Sequence, residues 1–264
     1  MHDVTIILQG PTNNKISKNI NRGIRKIKEY CKFGNVILST WKTNEIKPTK
    51  KYLSKNNIEI IESNEDLYKN MYRDANMNFQ VASTLNALKK ARTKFAIKLR
   101  TDEFYSDLSE FIKKIENNPN KIVTNNVFFS KNDFEPFHPS DHVIGGTTEN
   151  MVKKFGYAFN ACNKFGGIKQ VRSDVFGIPE WRNRDGNNKV SPEVFLCLCY
   201  LKSIGVDVKL EDSVEIMKEH YDIVPLDKMG KFECKYDISI ISNINYGEYL
   251  SKIPQNFIRS MEEL

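Results

Sequence analysis

This sequence is short of the features that mark most specialised protein classes. No apolar run approaches the roughly 18 residues that a membrane helix needs. The opening residues, MHDVTIILQGP, have no basic stretch followed by a long apolar one, so they read as a strand and turn rather than a secretory signal. The five cysteines are odd in number and none has a C-x-x-C partner, while Cys197 and Cys199 sit inside an apolar run. That pattern fits reduced, buried thiols in a cytoplasmic protein and argues against a disulfide framework or a zinc site. Histidine is scarce, at four residues, and His138, His142 and His220 read as structural or exposed rather than as a zinc cluster. Internal repeats, low-complexity linkers and a G-x-G-x-x-G phosphate loop are all missing.

What is present is an ordinary globular balance, 40% hydrophobic and 28% charged, with a net charge of +7. Such a balance suits a small anionic ligand such as a nucleotide diphosphate, or peripheral contact with an anionic membrane surface. The cations are scattered (Lys15, Lys18, Arg22, Arg25, Lys26, Lys28, then Lys47, Lys50, Lys51) and read as solvated faces. Without a basic face or a known module, a nucleic-acid partner is not expected.

Along the chain, strands and helices alternate. VTIIL (4–8), NVILST (35–40), IEII (58–61) and FAIKL (95–99) are β-rich runs bounded by turn residues. Ile16, Ile20, Ile24 and Ile27 recur at helical spacing, as do Val81, Ala82, Leu85, Leu88 and Ala91, and Leu108, Phe111, Ile112 and Ile115. This order predicts an α/β domain with a mainly parallel sheet. Farther on, residues 121–130 read as a strand or hairpin arm, and 137–147 as a loop leading to paired glycines. Residues 157–190 read as long loops. SPEVFLCLCYLKSIG (191–205) carries Ser, Pro and Glu at its front and Gly at its back, the signals of a capped, buried helix. EHYDIVP is strand-like.

Parallel sheets bind ligands beyond the carboxyl ends of their strands. Three polar stretches fall there: QGP after the first strand, STW at the end of the second, and RTDE after the fourth. Lys98, Arg100 and Asp102 alternate, so an extended chain carries them on one side. Two cations and an acid there suit a diphosphate, with Asp102 able to hold Mg²⁺ or Mn²⁺ and Glu103 either adding a ligand or facing solvent. The plainer alternative is a strand end that surfaces, its charges pairing with one another at little energetic gain. Gly10 allows backbone to approach a base or phosphate. Glu193, in the first turn of a buried helix, is a candidate general base, the alternative being a carboxylate favoured by the helix dipole. Asp141 precedes the glycines of VIGG, which permit close backbone approach to a ligand. Trp41 reads as core more readily than as a stacking platform.

VTIILQGP, NVILSTW, NFQVASTLNALKKARTKFAIKLRTDEFY, FHPSDHVIGG and SPEVFLCLCYL occur in this order. Together they resemble the WavE family of lipopolysaccharide-synthesis proteins, over roughly residues 3–235. The resemblance implies a GT-A-like nucleotide-sugar transferase fold and a glycosyltransferase activity. It implies a single domain over 1–264, with 1–130 as the nucleotide-sugar-binding half and 131–264 supplying acceptor contacts and the catalytic base. Donor contacts are then expected from Gln9, Gly10, Pro11, Thr40, Lys98, Arg100 and Asp102. Asp102 and His220 would hold Mn²⁺ or Mg²⁺, and Glu193 would be the base with Asp141 as second choice. Arg100 stands where the D-x-D metal motif of GT-A transferases has its first acid, which puts metal dependence in question. The implied partners are a nucleotide-sugar donor and a glycan or lipid-linked acceptor, with inversion as the expected stereochemistry. The rival readings are a sugar-nucleotide nucleotidyltransferase, which would release pyrophosphate, and a non-catalytic carbohydrate-binding protein.

Overall fold

The computed structural model describes residues 3–12, 26–42, 50, 53–72, 76–127, 135–166, 171–183 and 186–234. The strands are β1 (Val4–Gln9), β2 (Asn35–Trp41), β3 (Glu59–Ser63), β4 (Phe95–Arg100), β5 (Phe104–Tyr105), β6 (Ile122–Asn125), β7 (Ile144–Thr147), β8 (Tyr221–Val224) and β9 (Phe232–Glu233). The helices are α1 (Ile27–Tyr30), α2 (Met77–Leu88), α3 (Ser109–Asn117), α4 (Thr148–Lys164), α5 (Pro192–Ser203) and α6 (Ser213–His220). Of the expected helix on Ile16, Ile20, Ile24 and Ile27, only Ile27 lies within the described residues.

Seven strands form one sheet in the order β3-β2-β1-β4-β7-β6-β8. Strands β3, β2, β1 and β4 run parallel, β7 runs antiparallel to both β4 and β6, and β6 and β8 are parallel. Six strands therefore point one way and β7 alone is reversed. This is the mainly parallel α/β class that the alternating pattern predicts. Strands β1 and β4 are buried on both faces, which is why their sequences read as apolar runs rather than strict alternations. A second, two-stranded sheet pairs β5 with β9 and ties residues 232–233 to the segment just after β4.

Each face of the main sheet carries its own core. Residues of α2, α4 and α5 fill one, centred on Val81, Phe155 and Phe195. Residues of α1, α3 and the β5 region fill the other, centred on Tyr30, Phe104 and Phe111. Trp41 belongs to the first side, edge-on to Phe79 at 5.0 Å between ring centroids, as its core reading anticipates. Helix α5 has the predicted punctuation. Ser191 caps it by accepting from the Val194 amide, Pro192 is its first residue, and Gly205 follows its end at φ +79°. A cap of this kind stabilises a helix by about 1 kcal/mol. Among the described residues no helix is long and apolar enough to cross a membrane.

One expectation is corrected here. Residues 157–164 are not loop but the second half of α4, whose buried positions Met151, Lys154, Phe155, Ala158, Ala161 and Cys162 follow helical spacing. A lysine in a core position and the interleaved Asn and Gly residues conceal that period. The paired glycines of VIGG serve packing as well as the backbone. A Cβ on Gly145 would lie 2.5 Å from Ile115 Cδ1 and 2.8 Å from a Phe111 ring carbon, so the missing side chain lets α3 seat on β7.

Candidate active site

The strand register aligns the ends of β1, β2 and β4. Gln9 pairs with Ser39 on one side and with Arg100 on the other. Beyond that row the chain turns, and the turns are joined. The Gly10 amide donates to the Ser39 carbonyl (3.1 Å) and the Thr101 amide to the Gln9 carbonyl (3.0 Å). The Thr101 hydroxyl donates to the Pro11 carbonyl (3.1 Å). Gly10 adopts φ +138°, and a Cβ there would stand 2.5 Å from Thr101 Oγ1. Glycine is thus required because the QGP and RTD turns press together. The three polar stretches picked out in the sequence do share one sheet edge. Gln9 and Thr40 are buried within it and Pro11 is exposed.

Arg100 is the centre of the charges. Its Nε donates to Asp102 Oδ1 at 3.0 Å and one terminal nitrogen donates to Asp102 Oδ2 at 3.1 Å, a bidentate pair. Glu103 Oε1 lies 3.5 Å from the same Nε. Burial disfavours the guanidinium's charge, but Glu103 and Asp102 outweigh it and hold its pKa well above the usual value.

Glu103, offered by its spacing as a ligand or a solvated acid, is neither. Its side chain is 1% exposed, its Oε1 lies 2.5 Å from His142 Nδ1, and its Oε2 accepts from the Tyr105 hydroxyl at 2.9 Å. A carboxylate only accepts, so Nδ1 carries the proton in this contact. Burial pushes the Glu103 carboxyl up, while His142 and Arg100 outweigh it and keep it below its ordinary value. The network continues. Asn125 donates to Tyr105 Oη (3.3 Å), and Ser140 donates to Asn125 Oδ1 (2.9 Å). His142 Nε2 is 3.9 Å from Asp141 Oδ1.

Lys98 does not reach the edge at all. It is 0% exposed and its ammonium donates to the Asp141 carbonyl at 2.5 Å. Burial pulls its pKa down. Its place is beneath the site, anchoring the 140–142 loop, and any influence on a ligand passes through Asp141. Asp141 itself accepts from Gln80 Nε2 at 2.8 Å. Burial raises its pKa, but Lys98, His142 and Arg100 together hold it far below the carboxylate range. A buried carboxylate kept so acidic is a poor proton acceptor.

Glu193 stands at the front of α5, 19% exposed, with Oε2 3.6 Å from His138 Nε2. The same nitrogen is 3.8 Å from Glu135 Oε2, and His138 Nδ1 is buried without a partner. His138 and His142 stand four residues apart, but in a loop rather than on a helix, and they face different carboxylates. The loop over 135–142 thus joins Glu193 to the Arg100 cluster. His220 is far from both. It precedes Tyr221, which pairs with Ile122 at the amino end of β6. The strand end level with the site is Val224, opposite Asn125. Three residues of strand are about 10 Å, so the structure does not bring His220 to Asp102.

The residues at the strand ends do not fit a resident Mn²⁺ or Mg²⁺. Such ions take several oxygen ligands. Both oxygens of Asp102 are held by the Arg100 guanidinium, and Glu103 is turned into the His142 pair. Among the described residues no group of three His, Cys, Asp or Glu side chains is arranged to hold a metal ion. The sequence offered little to reveal the contact of Glu103 with His142, or the parts played by Gln80 and His138. The one signal was Lys98 itself, since a lysine in a strand buried on both faces demands an acceptor from a neighbouring segment.

Comparison with solved structures finds weak, broad likenesses. Mouse xyloside xylosyltransferase 1 is 9% identical, with 84% of each chain covered and a TM-score of 0.42. A cytidylyltransferase from Leptospira borgpetersenii is 13% identical, covering 83% of this chain and 95% of that one, with a TM-score of 0.40. The mannosyltransferase PcManGT from Pyrobaculum calidifontis, solved with GDP-Man and Mn²⁺, is 11% identical over 56% of this chain and 45% of that one, with a TM-score of 0.38. None of the curated proteins compared matches this sequence. The family profile for WavE lipopolysaccharide synthesis matches residues 4–172, a span that contains β1, β2, β4, the RTDE turn and the 135–142 loop but stops short of Glu193. The chain belongs to the WavE lipopolysaccharide synthesis family.

Proposed function

We propose that this protein is a glycosyltransferase. It moves a sugar from a nucleotide-sugar donor to a glycan or lipid-linked acceptor in the synthesis of a surface polysaccharide or lipopolysaccharide. The observation that carries the reading is the joined edge of β1, β2 and β4. Two turns lock together there beside a partly exposed, doubly braced guanidinium, with a carboxylate on a rigid helix front linked to them through one loop. Family membership supplies the biosynthetic setting.

In this reading the donor's diphosphate lies against Arg100 and the QGP and RTD turns. The acceptor hydroxyl oxygen bonds to the anomeric carbon as the bond from that carbon to the diphosphate breaks. Positive charge develops on the sugar, and the nucleoside diphosphate leaves with the electron pair. The hydroxyl proton passes to Glu193, and the configuration inverts. Glu193 is preferred to Asp141 as base because Asp141 is locked in a buried, strongly acidic state. The Arg100 guanidinium, preorganised by Asp102 and Glu103, meets the charge that builds on the leaving group.

The test is product analysis with a panel of nucleotide-sugars. The expected product is free nucleoside diphosphate. Glu193→Gln should lower turnover about 10²–10⁴-fold while leaving nucleotide affinity unchanged. Pyrophosphate as the product would mean a nucleotidyltransferase. Full activity in Glu193→Gln would remove that residue from the mechanism.

A further inference from the structure

We propose that the diphosphate is bound here without a divalent ion, the outer edge of the Arg100 guanidinium occupying the place of the metal. The inference rests on the nucleotide-sugar reading above and names how that ligand is held.

A guanidinium has five N–H donors. Two of those on Arg100 are spent on Asp102. Three remain, and the side chain is 24% exposed, so it is partly open to solvent. The inner side is fixed by Asp102 and Glu103, and the backbone beneath by the Gln9 register and the Thr101 amide. The acids are taken up locally. Asp102 accepts from Arg100, Glu103 from Tyr105 and His142, and Asp141 from Gln80. A divalent ion at Asp102 would have to strip an oxygen from Arg100 and then sit beside its positive charge. The acids that might complete its shell are already committed to hydrogen bonds from Tyr105, His142 and Gln80. A planar donor fork, by contrast, matches two phosphate oxygens without disturbing any of these contacts.

Calorimetric titration separates the possibilities. Wild type is titrated with UDP, GDP, CDP and dTDP in EDTA and again with Mn²⁺. Manganese electron paramagnetic resonance follows Mn²⁺ added alone. For the nucleotide that binds, the affinity should agree within about twofold in the two conditions, and Mn²⁺ alone should not bind. Arg100→Ala should lose about tenfold or more in affinity in both conditions. Arg100→Asp, which restores an acid at the first motif position, should bind nucleotide only when Mn²⁺ is present. Circular dichroism and melting curves confirm that the variants fold, and Arg100→Lys, keeping charge but not the fork, should fall between Ala and wild type. Wild-type affinity that collapses in EDTA, or Arg100→Ala that binds as well as wild type, would overturn the inference while leaving the transferase reading standing. No binding of any nucleotide in either condition would overturn both.

Discussion

At the residue scale the site is a set of largely buried acids, each held by neighbouring donors: Asp102 by Arg100, Glu103 by His142 and Tyr105, Asp141 by Gln80. Glu103 shows what this means for pH. Its carboxyl ionises below the 4.5 of a free glutamate because His142 and Arg100 outweigh its burial. A group depressed in the folded state contributes stability that is present in full above its unfolded value, near 4.5. That contribution is lost as the pH falls through the lower folded value. Glu103→Gln keeps the shape but removes the charge facing His142. The variant should lose about 1–3 kcal/mol at pH 7. Melting curves taken from pH 7 downward should show the gap to wild type beginning to close as the pH falls below 4.5 and vanishing only once the depressed carboxyl of folded wild type is protonated too. A constant gap across that range would mean Glu103 acts through packing alone. This pairing was only half legible in the sequence. The charges of RTDE stood out, and so did their position at a strand end. Which donor serves which acid depends on the 140–142 loop, whose contact with β4 is set by register between distant strands and not by local spacing.

At the element scale, the capped helix α5 was readable because its start and stop signals are local: Ser191, Pro192, Glu193 and Gly205. Helix α4 was not, because Lys154 interrupts its apolar stripe. That lysine is buried between α4, α5 and the start of β8, donating to the Leu196 carbonyl (3.0 Å) and the Tyr221 hydroxyl (2.9 Å). Burial pulls its pKa from 10.5 down to about 8. The groups facing it stay neutral longer, since burial pushes Cys197 up to about 11 and Tyr221 well above its usual value. For a base depressed in the fold, the folded state binds fewer protons than the unfolded state between the two values, so stability rises with pH from about 8 to 10.5. Lys154→Met should abolish that rise and gain about 1–3 kcal/mol at pH 7, as replacement of a buried charge by an apolar side chain often does. Urea unfolding at pH 7, 8.5 and 10 measures both effects. An unchanged pH slope in the variant would show that Lys154 is not the titrating group.

At the scale of the whole molecule, the alternation of strands and helices in the first half was enough to predict a mainly parallel sheet and to say that the three polar turns share the carboxyl edge of its strands. The reversed strand β7 was beyond reach. Its four residues, IGGT, have little strand character, and only their place between β4 and β6 makes them one. The same topology separates His220 from the site, since β8 begins where β4 also begins. Order along the chain cannot distinguish the two ends of a sheet once a strand has been reversed. The sheet thus sorts the side chains, with the joined QGP and RTD turns and the candidate base toward one edge, and α6 and His220 toward the other.

Hydrogen–deuterium exchange with and without a saturating nucleoside diphosphate tests this account most directly. Protection is predicted in the peptides that carry Gln9–Thr12, Ser39–Lys42 and Arg100–Glu103, the three turns at the carboxyl ends of β1, β2 and β4. Those carrying His220 and Tyr221 should exchange as before. Protection confined to the opposite edge, or none in the presence of any nucleotide, would contradict the assignment of this edge as the donor site.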